Sequence, residues 1–217
     1  MLAVPALFVL LLPTPVQPHP HAWVDLRMTV EGDDDGRIVA LRQYWLLDPM
    51  YSRMISGQEP GFARRPDWGA TGSGGPSAAT LGAAADEILD NLAEYDYFTR
   101  LEQGEAPVAI GEVSEHRLQS AGHRLELSFT VELAEPVDPA EAPFRYAVYD
   151  PTYYIEVLHD EDDIIDLRGG LADCRATITP PSPSKELIAR AAALDWDEEV
   201  SDDLGHHFAE WVTIDCD

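Results

Sequence analysis

Leu125-Glu126-Leu127-Ser128-Phe129-Thr130-Val131-Glu132-Leu133 alternates apolar and polar side chains without a break. Successive side chains of an extended chain point to opposite faces, so Leu125, Leu127, Phe129, Val131 and Leu133 face a core while Glu126, Ser128, Thr130 and Glu132 face water. The same period of two runs through residues 22–30, with Ala22, Val24, Leu26, Met28 and Val30 on one side. Glu31-Gly32-Asp33-Asp34-Asp35-Gly36 then reads as a turn, and residues 37–47 return as the second arm of a hairpin. That turn is no calcium loop, because Arg42 stands in the twelfth place where a bidentate Glu is required. Further strands are predicted at 108–113, 144–149, 153–158, around Cys174, and in a last segment ending at Cys216.

Two segments break the pattern. Leu81, Ala84, Ala85, Ile88, Leu89, Leu92 and Tyr95 recur at helical spacing behind Thr80, a residue suited to N-capping, which predicts an amphipathic helix over about residues 80–98. Pro180-Pro181-Ser182-Pro183 ends a strand, and Ser184 caps a short C-terminal helix to about residue 194. Residues 57–79, Gly/Ser/Ala-rich from 69 onward, lack hydrophobic periodicity and read as a flexible loop. Residues 195–203 read as an acidic disordered stretch. Many strands joined by turns, with helices outside the pattern, predict a mainly β domain, an antiparallel β-sandwich with a helical excursion.

The chain opens on an apolar run from Leu2 to Leu12, too short to cross a bilayer but suited to a secretory signal, so residues 1–18 are expected to be removed and residues 19–217 to form one exported domain. No Lys or Arg precedes the run, and no small-x-small cleavage site follows it. No other segment reaches spanning length, so no membrane insertion of the mature chain is expected. Forty acids against 14 bases give a net charge of −26. Such a surface repels phosphate backbones and anionic lipid, which argues against nucleic-acid binding, and it concentrates cations nearby.

Cys174 and Cys216 are the only cysteines. An even pair in an exported chain suggests a disulfide, and the period of two puts both on the apolar faces of their strands. A thiol metal site is the alternative, although Cys-x-x-Cys spacing is absent.

The candidate chemistry begins at His19-Pro20-His21-Ala22-Trp23-Val24-Asp25. On an extended segment His19 and His21 share a face with Cα atoms about 7 Å apart, so both imidazoles reach one ion if the chain bends at Pro20. Asp25 lies roughly 13 Å beyond His21 along a strand and cannot join them. Pro18 and Pro20 remove the backbone nitrogens that tight amino-terminal copper and nickel sites use, so coordination must come through imidazoles and ligands from elsewhere in the fold. Asp48 and Asp150, each followed by Pro at a strand end, are the candidate carboxylates. His206-His207 precedes the last strand; adjacent residues point apart, so at most one contributes, and His207 enters the candidate set. His116, His123 and His159 read as isolated surface residues. Tyr149-Asp150-Pro151-Thr152-Tyr153-Tyr154 carries more aromatics than an ordinary turn and reads either as a hairpin covering a sheet edge or as a binding wall. Neither a Ser-His-Asp order with supporting motifs nor His-Glu-x-x-His occurs, so an enzyme is not expected.

Four blocks, the His19–Asp25 stretch, Asn91-Leu92-Ala93-Glu94-Tyr95-Asp96-Tyr97-Phe98, the 149–154 segment and Phe208-Ala209-Glu210-Trp211-Val212-Thr213-Ile214-Asp215-Cys216, together resemble the domain-of-unknown-function family 1007. The resemblance implies a periplasmic component of an uncharacterised transport system, encoded beside NicO-type nickel/cobalt permeases, with the amino-terminal His-x-His at His19 and His21. The expectation is a periplasmic accessory protein that binds Ni, Co or Zn and exchanges it with a membrane metal permease. The rival expectation is an adaptor that binds no metal and docks on the permease through Tyr149, Tyr153 and Tyr154.

Overall fold

The structure, a computed structural model, describes residues 20–57, 76–160, 165–194 and 203–216. The leader 1–18, His19, most of the expected loop 57–79 and most of the acidic stretch 195–203 lie outside the described residues.

In chain order the elements are β1 (Ala22–Gly32), β2 (Ile38–Leu47), α1 (Pro49–Ile55), α2 (Ala78–Ala93), β3 (Thr99–Gln103), β4 (Ala106–Pro107), β5 (Ile110–Ala121), β6 (Arg124–Val137), β7 (Phe144–Val148), β8 (Ile155–His159), β9 (Asp166–Arg168), β10 (Cys174–Thr179), α3 (Lys185–Ala191) and β11 (Trp211–Cys216). The strands form two sheets. One runs β5-β6-β2-β1, with β8 and β9 both along the far edge of β1; the other runs β10-β11-β7-β3-β4. The chain is therefore mainly β, as its alternation predicts.

The β1–β2 hairpin is antiparallel with Val24 opposite Leu47, and the decisive 125–133 alternation lies in β6, which pairs β2 and β5. Its inward residues Leu127, Phe129 and Val131 are fully buried, in one core with Leu26, Val30 and Leu41. Phe144, Tyr146, Val212 and Ile214 of the second sheet belong to that same core. Each such side chain contributes about 1.5–3 kcal/mol by leaving water. Leu81, Ala84, Ala85, Leu89 and Leu92, the buried stripe of α2, complete it. One polar chain crosses the core: Trp45 Nε1 donates to Gln43 Oε1, and Gln43 Nε2 donates to Thr99 Oγ1, joining β2 to β3.

The structure corrects several expectations. The first sheet is mixed, because β8 and β9 run parallel to β1. The reason is that 149–154 is no hairpin: β7 lies in one sheet and β8 in the other, so the segment is a corner that carries the chain across the core. Alternation fixes which face of a strand is buried, and it is silent on the partner strand. The helix predicted at 80–98 ends at Ala93 and is followed by a 3-10 helix, Asp96–Phe98, with Tyr97 at φ 53°. Its N-cap is Ser77, whose Oγ accepts from Thr80 N, so residues 78 and 79 of the expected loop are helical. The C-terminal helix is capped by Ser184 as expected and stops at Ala191. Helix α1 was not anticipated.

Candidate functional site

The β1–β2 ladder reaches its open end at Trp23 and Asp48, where Asp48 N donates to Trp23 O at 3.0 Å. Pro49 cannot continue a ladder, and Asp48 turns the chain into α1 as its N-cap: Oδ1 accepts from Met50 N at 2.7 Å and Tyr51 N at 2.9 Å, while Oδ2 accepts from Trp23 N at 3.3 Å. Asp150 does the equivalent work at the corner between the sheets. Its Oδ1 accepts from Thr152 N and Thr152 Oγ1, both at 2.8 Å, and its Oδ2 from Tyr154 N at 3.1 Å and Ile155 N at 3.0 Å. Those bonds hold Tyr153 at φ 59°, a left-handed conformation unfavourable for a residue with a bulky side chain.

His21 sits where these two caps meet. Its backbone N–H donates to Tyr154 O at 2.9 Å, and its ring lies 4.9 Å from the Tyr154 ring. Tyr51 marks the same corner, since its hydroxyl is pushed up in pKa by burial and by the nearby Tyr154, Asp48 and Asp150. The structure thus brings together His21, Asp48, Asp150 and Tyr154 from the expected site. As ligands the two carboxylates differ. Each carboxylate oxygen offers two lone pairs; all four of Asp150's are occupied, whereas Asp48 Oδ2 carries one bond. Asp150 thus positions Tyr154 through its four bonds, whereas Asp48 Oδ2 keeps one acceptor site.

The tyrosines divide as well. Tyr149 and Tyr153 are only 6% and 7% exposed, Tyr154 41%. Tyr153 stacks on Phe208 at 4.0 Å and donates to Glu156 Oε1 at 3.1 Å; burial first, then Glu156, raises its pKa. Tyr149 donates to Asp203 Oδ2 at 3.3 Å, and burial followed by Asp203 raises its pKa. Both are held within this chain, by a 3-10 helix, Leu204–Phe208, whose Gly205 packs on the corner: a Cβ at Gly205 would stand 1.8 Å from Asp150 O. Of the three tyrosines expected at an interface, Tyr154 alone is exposed.

His207 is not at the His21 corner. It and His206 are exposed on that 3-10 helix, and His206 lies 5.9 Å from the Tyr149 ring and 6.0 Å from the Trp211 ring. Those two aromatics belong with Ala147 and Ala209 to a cluster separate from the main core, on the outer face of the five-stranded sheet. Among the described residues His21, Asp48, Asp150 and His207 are not arranged as one group that could hold a metal ion.

His159, expected as an isolated surface residue, is buried and bonded at both nitrogens. Nδ1 meets Glu210 Oε2 at 2.8 Å, and Nε2 meets the Tyr146 hydroxyl at 3.1 Å. An ionised carboxylate only accepts, so Nδ1 carries a proton. Burial works to raise Glu210, and the bonds from the His159 ring and backbone N–H outweigh it, so its carboxyl lies below its ordinary value of 4.5. Burial, with Glu210 nearby, raises Tyr146 well above its usual range. No local signal reveals this triad, because its members lie 13 and 51 residues apart. His116 is paired too, with Asp86 of α2 at 2.7 Å.

Cys174 and Cys216 stand opposite each other in the β10–β11 register and form a disulfide. Among the described residues no helix is long and apolar enough to cross a membrane, and no group of three or more His, Cys, Asp or Glu is arranged to hold a metal ion. His19 lies outside that set.

A family model described as a protein of unknown function (DUF1007) matches residues 4–216. An uncharacterized protein of Haemophilus influenzae is 24% identical over 203 residues, covering 92% of this chain and 91% of that protein. No solved structure matches.

Proposed function

The chain belongs to the DUF1007 family, and from that premise and the His21 corner we propose that it is a periplasmic accessory protein that binds a divalent transition ion, Ni, Co or Zn, and exchanges it with a membrane metal permease. The observation that carries this reading is that the fold grips His21 by its backbone and its ring against Tyr154, beside the Asp48 carboxylate. One imidazole of the His-x-His pair is then pre-positioned by the fold, and His19, two residues earlier in the sequence, would bring the second. Imidazole suits all three ions. Two imidazoles with one carboxylate acceptor make an incomplete shell, and an ion held in that way can be passed on. The two sheets, sharing one core, are read as the faces of a β-sandwich that supports the site at its edge.

The test is calorimetric titration of the exported protein with Ni(II), Co(II) and Zn(II), repeated on H19A/H21A. The reading requires that binding be lost in the double variant.

The adaptor reading keeps one observation of its own. Trp23, Met50, Met54 and Tyr154 are all exposed, and the Trp23–Asp48 and His21–Tyr154 backbone bonds gather their segments at this same corner. Under that reading permease co-purification falls with Trp23→Ala or Tyr154→Ala and is indifferent to H19A/H21A.

A further inference from the structure

The outer face of the five-stranded sheet carries chemistry that the His21 corner does not use. His206 and His207 are neighbours in sequence, an arrangement that points the side chains in different directions on a strand and, at about 100–120° per residue, on an α- or 3-10 helix. On the short 3-10 helix, Leu204–Phe208, their ring centroids are 5.7 Å apart with planes inclined at 75°. Two imidazoles sharing one ion at metal–nitrogen distances of about 2.0–2.1 Å place their centroids about 5–6 Å apart. Both rings are exposed, so an ion can reach them from solvent.

The helix is held in place. Gly205 N donates to Pro151 O at 3.1 Å, and Gly205 lies against Asp150 O too closely for any side chain. Leu204 is buried, and Phe208 stacks on Tyr153. The backbone bearing the two histidines is therefore fixed on both sides, which lowers the entropy lost when the rings converge. Two guanidinium groups lie near, Arg100 over Tyr149 and Arg145 over Trp211. Each is matched by a carboxylate, Asp96 and Glu102 respectively, and the Asp203 carboxylate sits on the Tyr149 hydroxyl.

We infer that His206 and His207 form a second metal site, separate from the His21 corner, which takes one divalent transition ion through two imidazoles with water completing the shell. Imidazole donors and the Irving–Williams order make Cu(II) the tightest-held member of that class, above Ni(II) and Zn(II). The site does not depend on His19 or His21.

Trp211 supplies a reporter, since a paramagnetic ion on the ring 6.0 Å from it quenches its fluorescence. The experiment uses the full exported chain carrying H19A/H21A, titrated with Cu(II) and followed by fluorescence and by electron paramagnetic resonance. One equivalent with nitrogen hyperfine structure and quenching is expected; adding H206N/H207N should weaken that binding at least about tenfold. Adding W211F should abolish most of the quenching while the equivalent remains bound. The inference is overturned if H206N/H207N leaves affinity and quenching unchanged, or if H19A/H21A alone removes all Cu(II) binding. Ni(II), Co(II) and Zn(II) titration of wild type against H19A/H21A reports on the His21 corner, so that corner can fail while this site stands.

Discussion

Asp150→Ala should be among the most damaging single substitutions in the chain. Asp150 is 4% exposed, and its carboxylate accepts four hydrogen bonds. Bonds to a charged acceptor contribute about 1.5–3 kcal/mol each by substitution. The turn is half-exposed, so water replaces part of what is lost, and the equivalent of two full bonds gives about 3–6 kcal/mol. For a chain of this size that is a fall in Tm of about 6–24 °C. Asp150→Asn keeps the oxygen facing Thr152 but turns an amide N–H toward Tyr154 N and Ile155 N, and should lose about half as much. The assay is thermal melting followed by circular dichroism with the disulfide intact. Amide exchange at His21, whose N–H bonds Tyr154 O, should accelerate in both variants. A loss below about 1 kcal/mol for the Ala variant would refute the view that this carboxylate organises the corner.

Gly205→Ala should undock the 3-10 helix, because its Cβ would overlap Asp150 O; a loss of about 3 kcal/mol or more is expected in urea unfolding, together with exposure of Tyr149 to iodide quenching or nitration. C174S/C216S opens a crosslink with a sequence separation of 42 and should lose about 4 kcal/mol in the chain-entropy model, read from the urea midpoint of the reduced-equivalent variant. Glu210 has a depressed folded pKa, so its contribution is present above its ordinary value of 4.5 and is lost as pH falls below it through the folded value. Glu210→Gln should be less stable than wild type at neutral pH and show a shallower decline in acid, as measured by melting temperature against pH.

Much of the scaffold is legible in the sequence, and the limit of legibility is physical. Residues 22–30 and 125–133 announce strands because one face of each is buried, and Leu81, Ala84, Leu89 and Leu92 announce α2 for the same reason. Burial leaves a local periodic trace. Pairing leaves none, which is why the passage of the chain from β7 in one sheet to β8 in the other reads as a hairpin. Asp48-Pro49 and Asp150-Pro151 do contain a readable signal, since Asp followed by Pro suits an N-cap or an Asx turn, and both carboxylates do bond the backbone there. His21 could be singled out from His-x-His spacing, but its anchor on Tyr154 could not. His159 is the opposite case, as only the fold brings Glu210 and Tyr146 to its ring.

The proposed function requires that the His19–His21 pair bind a divalent ion. Its most direct test is elemental analysis of the protein isolated from its exporting host, paired with mass spectrometry of the processed N-terminus. The account predicts a chain that begins at or before His19 and carries Ni, Co or Zn, lost in H19A/H21A. A processed chain starting beyond His21, or equal metal content in wild type and double variant, would contradict it.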